Sequence, residues 1–169
     1  MSDALPSRAL DPLRDDLTAF RCGIEELDTW LRESAVAAAR RGTAVTWVWA
    51  PDGAVIAYYT LSAHVVQRDD VPARIGRGGP REIPSVLIGK LALDSSLHGR
   101  GMGEVLVADA LSRVLAATQV IGAKLVVVDA LSDAVAGFYE RLGFVRIPSS
   151  LRLVQRITDI EAASTGTSS

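Results

Sequence analysis

The segment Ser85–Glu104, with the sequence SVLIGKLALDSSLHGRGMGE, decides the fold. Its first part, Ser85–Leu93, is a nearly continuous apolar run, which is typical of a strand buried on both faces of a sheet. Three glycines follow at alternate positions: Gly99, Gly101 and Gly103. Met102–Ala117 then carries apolar residues at helical spacing. The segment therefore predicts a buried strand, a glycine-rich turn and a helix.

The chain before this segment continues the alternation of helices and strands. Apolar residues at helical spacing predict a helix over Gly23–Arg41, which Gly42 ends. Two β-rich runs, Thr43–Ala50 and Ala54–Val66, flank a Pro-Asp-Gly turn and predict a hairpin.

The chain after the segment adds a third strand–helix unit. Lys124–Ala130 is a second buried strand, and Ser132 is placed to cap a short helix that ends at Gly143. The last strands are predicted at Phe144–Ile147 and Leu151–Ile157. This order of elements predicts an α/β or α+β fold, with helices packed on a central sheet.

Composition places the chain among ordinary globular proteins. It has 169 residues, of which 49% are apolar and 22% charged, with a net charge of −2 that does not indicate nucleic acid. We expect a poorly ordered segment at 1–16, a single domain at 17–160 and a flexible tail at 161–169. The only cysteine and two histidines are too few for a structural zinc site, so no metal is expected. No membrane span or signal peptide is visible, which predicts a cytoplasmic protein.

The glycine turn is a candidate phosphate site. Main-chain N–H groups at a helix N-terminus lack intrahelical partners, and the helix dipole favours an anion there. No Gly-Lys-Ser/Thr is present, which excludes a Walker A loop. The third glycine comes one residue too early for a dinucleotide fingerprint, with Glu104 in its place. The alternative is a flexible connection with no ligand.

Two motifs together resemble the GNAT acetyltransferases. Their signature is Gln/Arg-x-x-Gly-x-Gly/Ala, followed at a distance by Phe/Leu-Tyr-x-x-x-Gly-Phe. HGRGMG at His98–Gly103 matches the first, with His98 in place of Gln or Arg, and FYERLGF at Phe138–Phe144 matches the second. The resemblance implies the GNAT fold: a central mixed, mostly antiparallel sheet that is splayed at the acetyl-CoA site and flanked by helices. It implies acetyl-CoA as co-substrate.

Four further segments resemble the GNAT toxins of bacterial type II toxin–antitoxin pairs, the TacT-like group. They are FRCGIEELDTWL at Phe20–Leu31, YYTLS at Tyr58–Ser62, IPSVLIGKLALD at Ile83–Asp94 and VDALSD at Val128–Asp133. This resemblance implies acetylation of the α-amine of aminoacyl-tRNA, blocked translation, and neutralisation by a ribbon-helix-helix antitoxin. Members of the group are often dimers, so a homodimer is expected.

The resemblance also implies roles for particular residues. Tyr139 would be the general acid that protonates the leaving thiolate, although its spacing alone favours a core aromatic residue. A main-chain N–H of the strand would polarise the thioester carbonyl. The residues implied to bind the donor are Leu91, Ala92, Leu93, His98, Gly99, Arg100, Gly101, Met102, Gly103, Glu104 and Ser132.

No carboxylate or histidine stands out as a general base, and the position of His64 at a strand end is typical of a surface or edge residue. An α-amine with a pKa of ~7.7–8.0 is partly unprotonated at neutral pH, whereas a lysine at ~10.4 is not, so the missing base favours an α-amine acceptor.

The irregular segment Gln67–Pro84 and its neighbours are rich in cations, which suit tRNA phosphates unless the loop is merely solvated. The candidate tRNA contacts are Arg40, Arg41, Arg74, Arg77, Arg81 and Lys90.

Two other functions remain open from the sequence. One is a GNAT enzyme that acetylates a small amine or a protein N-terminus, which an acidic rather than basic acceptor groove would favour. The other is a non-catalytic GNAT-like binding module, which failure to bind acetyl-CoA would support.

Overall fold

The computed structural model describes residues 6–166. Its strands are β1 (Arg8–Ala9), β2 (Val45–Trp49), β3 (Ala57–Gln67), β4 (Glu82–Leu93), β5 (Leu125–Asp129), β6 (Val145–Arg146) and β7 (Arg152–Arg156). Its helices are α1 (Glu25–Glu33), α2 (Ala35–Arg41), α3 (Ala73–Gly76), α4 (Met102–Ala117), α5 (Asp133–Arg141) and α6 (Ile157–Thr165). Two short 3₁₀ helices lie at Arg68–Asp70 and Ser95–Leu97. No helix in the described part is long and apolar enough to cross a membrane.

The strands form one mixed sheet in the order β1-β2-β3-β4-β5-β7-β6. Antiparallel pairing joins β1 to β2, β2 to β3, β5 to β7 and β7 to β6, whereas β4 and β5 are parallel. The β4–β5 register runs from Ser85↔Leu125 to Ile88↔Val128, although β4 continues to Leu93. A mixed, mostly antiparallel sheet with flanking helices confirms the predicted fold class.

The first of two compact units comprises the described residues up to Ser62 together with Gly89–Ala110. Its core packs the inner faces of α1 and α2 against strand residues such as Val48 and Tyr58. The predicted single helix over Gly23–Arg41 is wrong in one detail, because the backbone of Ser34 leaves the helical region and separates α1 from α2. Gly42 ends α2 in a left-handed conformation, as predicted.

The second unit comprises Ala63–Ile88 and the described residues from Leu111 onward. Its core contains Ile83, Leu125, Val127 and Val154. The prediction of an irregular loop at 67–84 is wrong for most of its length, because a 3₁₀ helix, α3 and the start of β4 occupy it. Hydrogen bonds from Arg68, to the carbonyls of Gly79 and Arg81, hold this segment. Such contacts between residues distant along the chain are not visible in a local sequence pattern.

Both ends of the chain contain more structure than the sequence suggests. Before Asp16, β1 pairs with β2, Arg8 forms an ion pair with Asp15, and the Ser7 hydroxyl donates to Asp109 at 2.5 Å. At the other end, α6 extends to Thr165 and buries Ile157 and Ile160. Residues 1–5 and 167–169 of the expected loose ends lie outside the described residues.

Candidate functional site

The turn between β4 and α4 has the backbone that a close anion contact needs. Gly99 and Gly101 have φ values of +75° and +71°, which side chains rarely adopt, and an added Cβ at either glycine would meet open space. Among the described residues, the main-chain N–H groups of Gly99, Arg100 and Gly101 donate to no other group. These donors precede the first turn of α4, where the helix dipole favours negative charge.

Asp94 holds the turn in place. Its carboxylate accepts hydrogen bonds from the main-chain N–H of Arg21 at 3.0 Å and from the hydroxyl of Ser96 at 2.7 Å. Burial alone would raise the pKa of Asp94, but the hydrogen bonds from Ser96 and Arg21 outweigh it and lower the pKa. The carboxylate therefore stays ionised at neutral pH and keeps its role as a structural acceptor.

His98 folds back onto the strand that leads into the turn. Its Nε2 donates to the carbonyl of Leu93 at 2.9 Å, so the ring carries its proton on Nε2. Its main-chain N–H donates to Ser95 at 3.2 Å. The main-chain donor of His98 is thus used within the turn, and any contact of this residue with a ligand would come from its ring.

The last residues of β4 extend past the strand's pairing with β5, which ends at Ile88. Ala92 is buried in the first unit's core, whereas Leu91 and Leu93 are half-buried. The core position of Ala92 leaves only its main chain available to a ligand.

Two predicted site residues lie at α5 in the second unit. Ser132 caps the helix, as predicted, because its hydroxyl accepts from the main-chain N–H of Val135 at 3.2 Å. Tyr139 is 6% exposed and contacts Phe138 and Phe144 edge to face, with ring centroids 5.3 and 5.5 Å away. Burial raises the pKa of Tyr139 to about 12. At neutral pH the hydroxyl is therefore protonated, and because it has no hydrogen-bond partner within residues 6–166 it is able to donate to a ligand.

The predicted tRNA contacts fall into two groups. Arg40 and Arg41 end α2 in the first unit and are exposed. In the second unit, Arg77 follows α3 and lines a cavity of about 460 Å³ with two cations that sequence reasoning did not select, Lys124 and Arg156. Arg74 and Arg81 also lie in this unit, where their carbonyls accept from Arg156 at 3.3 Å and Arg68 at 2.8 Å.

Lys90 is held by aromatic contacts in the first unit. Its ammonium lies 4.8 Å from the centroid of the Trp30 ring, which stacks on Tyr58 with centroids 6.1 Å apart. This cation–π contact orients the amine. Lys90 therefore belongs to a different unit from Arg74, Arg77 and Arg81, although the sequence places all four on one stretch.

Sequence reasoning missed a partly exposed hydrogen-bonded cluster in the second unit. The Arg152 guanidinium donates from Nε and Nη2 to the two oxygens of Asp129, at 2.7 and 2.8 Å, and from Nη1 to Nε2 of His64 at 3.0 Å. His64, Asp129 and Arg152 each lie on the face of their strand that carries core residues. Val66, Val127 and Val154, which stand two positions from them in that order, are in the core, and side chains two positions apart on a strand point to the same face. A charged side chain at an inward position was the available signal.

Comparisons with known proteins identify the family of this chain. The acetyltransferase (GNAT) domain family matches residues 42–146. The chain is 35% identical over 149 residues to a tRNA-acetylating toxin of Mycobacterium tuberculosis, covering 88% of this chain and 90% of that protein.

Solved structures are similar over nearly the whole chain. One is AtaT complexed with acetyl-methionyl-tRNAfMet, with a TM-score of 0.86 and 30% identity over 94% of this chain and 98% of that chain. Another is a tyrosine-to-phenylalanine mutant of AtaT bound to the C-terminus of the antitoxin AtaR and to acetyl-CoA. It has a TM-score of 0.81 and 29% identity over 95% of this chain and 97% of that chain.

Proposed function

This chain belongs to the GNAT acetyltransferases, and we propose from that premise that it is a toxin that acetylates the α-amine of aminoacyl-tRNA. Acetyl-CoA is the donor, translation is blocked because the acylated amine can no longer form a peptide bond, and a cognate antitoxin neutralises the activity. The observation that carries the proposal is the turn before α4, where two left-handed glycines present free main-chain donors to an anion.

Donor binding is assigned to main-chain groups. The N–H groups of residues 99–104 hold the pyrophosphate at the N-terminus of α4, and the exposed side chain of Glu104 points to solvent. Leu91, Ala92 and Leu93 bind the pantetheine through the main chain, and one N–H there stabilises the charge that develops on the thioester oxygen. Ser132 adds its hydroxyl proton, because its oxygen accepts the helix-capping bond and its O–H remains able to donate.

Tyr139 is assigned as the general acid. When the acceptor amine attacks the thioester carbon, the C–N bond forms, the C–S bond breaks and the hydroxyl of Tyr139 gives its proton to the leaving sulfur. The tyrosinate that remains is reprotonated from solvent before the next turnover. A tyrosine with its usual pKa of ~10 is already protonated at neutral pH, and the raised pKa of Tyr139 keeps the proton on the hydroxyl until the sulfur leaves. Water accepts the proton of the α-amine, whose low pKa makes a strong protein base unnecessary.

The acceptor is held through its phosphates by exposed cations. Arg40 and Arg41 follow one another at the end of α2, and Arg74, Arg77 and Arg81 lie on the segment before β4. Lys90, fixed over Trp30, is the remaining candidate. Charge contacts of this kind do not distinguish one tRNA from another, so they supply affinity rather than amino-acid selectivity.

Three further features belong to the same proposal. The antitoxin is of the ribbon-helix-helix type, the enzyme is a homodimer, and it acts in the cytoplasm. The similarity to a toxin solved with a bound antitoxin supports an antitoxin partner, and a structure of this chain's own complex tests the antitoxin's type. Sedimentation of the purified protein across a concentration series tests the second, and fractionation of cells expressing the protein with its antitoxin tests the third.

The deciding experiment incubates purified protein with acetyl-CoA and charged total tRNA, then digests the RNA and measures N-acetylated aminoacyl-adenosine by mass spectrometry. Product that requires both substrates is the expected result. Product formed on free amines or peptides, with none on charged tRNA, would assign the enzyme to small-molecule or N-terminal acetylation instead.

A further inference from the structure

We propose that the cavity at the carboxyl end of β5 binds the 3′ end of charged tRNA, namely the terminal ribose and its amino acid. In this proposal Arg152 contacts the ligand, and Asp129 and His64 orient Arg152. The inference rests on the proposed function and specifies where the acceptor end is recognised, as opposed to the phosphate backbone.

The cavity has the size and position for this role. It measures about 730 Å³ and is lined by the end of β3, the 3₁₀ helix after it, Asp129 and the β6–β7 turn. That volume is within the range of small-molecule sites. The β6–β7 turn is also tied to the start of α5, the helix that carries Tyr139, because Arg146 bonds both Asp133 at 2.6 Å and the carbonyl of Ser150 at 2.7 Å.

The lining chemistry disfavours phosphate and suits an uncharged polar group. Its charged members are three carboxylates, on Asp69, Asp70 and Asp129, against the single guanidinium of Arg152. This excess of negative charge repels a phosphate, and carboxylates accept hydrogen bonds from ribose hydroxyls. The apolar walls include two exposed side chains, Val65 at 49% and Leu151 at 38%, which suit an amino-acid side chain.

Arg152 is held in one orientation. Arginine only donates, so Nε2 of His64 must accept from Nη1 and therefore carries no proton. Three of the five N–H groups of Arg152 are used by Asp129 and His64, which leaves two to donate to a ligand oxygen such as the ester carbonyl. Burial, followed by the charge of Arg152, lowers the pKa of His64. The ring therefore stays neutral at pH 7 and keeps its acceptor.

The test compares the affinity for charged and uncharged total tRNA, measured by filter binding without acetyl-CoA at one salt concentration. The wild type should prefer charged tRNA by about tenfold or more, as expected for hydrogen bonds to a charged group. Arg152→Gln should lose most of that preference while its affinity for uncharged tRNA is unchanged. The matched control is Arg156→Gln, on the same strand and also ion-paired, which should keep the ratio.

The positioning role of His64 has its own pair of variants. His64→Leu removes the acceptor for Arg152 and should reduce the preference, whereas His64→Gln keeps a carbonyl acceptor and should restore it. In acetylation assays, His64→Leu should raise KM for charged tRNA with little change in kcat. Circular dichroism melts check that each variant is folded.

The outcomes separate this inference from the proposed function. If wild type acetylates charged tRNA but Arg152→Gln and Arg156→Gln behave alike, the inference fails and the function stands. Equal loss of charged and uncharged tRNA binding in Arg152→Gln would show a phosphate contact and also overturn the inference. No acetylation of charged tRNA by wild type contradicts the proposed function itself.

Discussion

Replacement of Tyr139 by phenylalanine tests the chemistry most directly, because it removes one oxygen from a closely packed site. The ring is 6% exposed and packs against Phe138 and Phe144, contacts that phenylalanine keeps. General acid catalysis contributes about 10²–10⁴-fold to rate. Tyr139→Phe should therefore lower kcat by that factor and leave the affinity for acetyl-CoA within about twofold.

The structure also gives the expected effect on stability. The Tyr139 hydroxyl makes no hydrogen bond in the described part of the chain, and its oxygen is not one of the buried polar atoms without a partner. Its removal therefore breaks no bond and relieves no desolvation, so the melting temperature should stay within a few degrees of the wild type. A fall in rate with a large loss of stability would instead indicate a packing role.

The pH dependence adds a second readout. A tyrosine that titrates near its usual ~10 would lose its acid form above that pH, whereas burial raises the pKa of Tyr139 to about 12 in the free protein. In kcat/KM, the wild type should show no loss of activity from this group up to pH 10. Stopped assays with acetyl-CoA and charged tRNA at pH 7 to 10 measure this pH dependence.

A Tyr139→Phe enzyme that acetylates within threefold of the wild-type rate would refute the assignment of Tyr139 as the general acid.

Three further variants address the donor loop, the tRNA-binding arginines and the fold. Gly101→Glu places a carboxylate side chain on a backbone with a φ of +71°, which side chains rarely adopt. Calorimetry should then detect no acetyl-CoA binding, while circular dichroism shows a folded protein. Normal affinity for acetyl-CoA would mean that the donor binds elsewhere. The double variant Arg74→Gln and Arg77→Gln should weaken tRNA binding. The slope of the logarithm of the binding constant against the logarithm of the salt concentration should fall in magnitude by about 0.7–0.9 for each phosphate that the variant no longer binds. An unchanged slope would mean that neither arginine contacts a phosphate. Gly143→Ala should lower the free energy of unfolding by about 1–2 kcal/mol in urea melts, because φ at this position is +100° and the new Cβ would lie 2.9 Å from Gln155 Nε2. An unchanged free energy of unfolding would mean that the Gln155 side chain moves aside and the backbone strain relaxes.

Several elements were predictable because local patterns determine them. The helix Met102–Ala117 matches α4 from its first residue to its last, and Ser132 and Gly143 mark the limits of α5 as their capping chemistry requires. The glycine turn was also visible, since positive φ values are reserved largely for glycine.

The sequence by itself determined the parts of this protein that depend on neighbours along the chain. They are the buried strands, the caps, the glycines before α4 and the family motifs that identify the acetyltransferase. Local sterics and hydrogen bonding between residues a few positions apart specify these features, so a local sequence pattern predicts them.

Only the tertiary structure decided the rest, because the relevant partners are far apart in sequence. The cluster of His64, Asp129 and Arg152 joins residues on three strands that lie up to 88 positions apart in the sequence. Lys90 contacts Trp30, although the sequence places it near Arg74, Arg77 and Arg81. Burial in the second unit likewise raises the pKa of Tyr139 to about 12. Register and packing of the whole sheet fix these distances and desolvation energies, and no local pattern contains them.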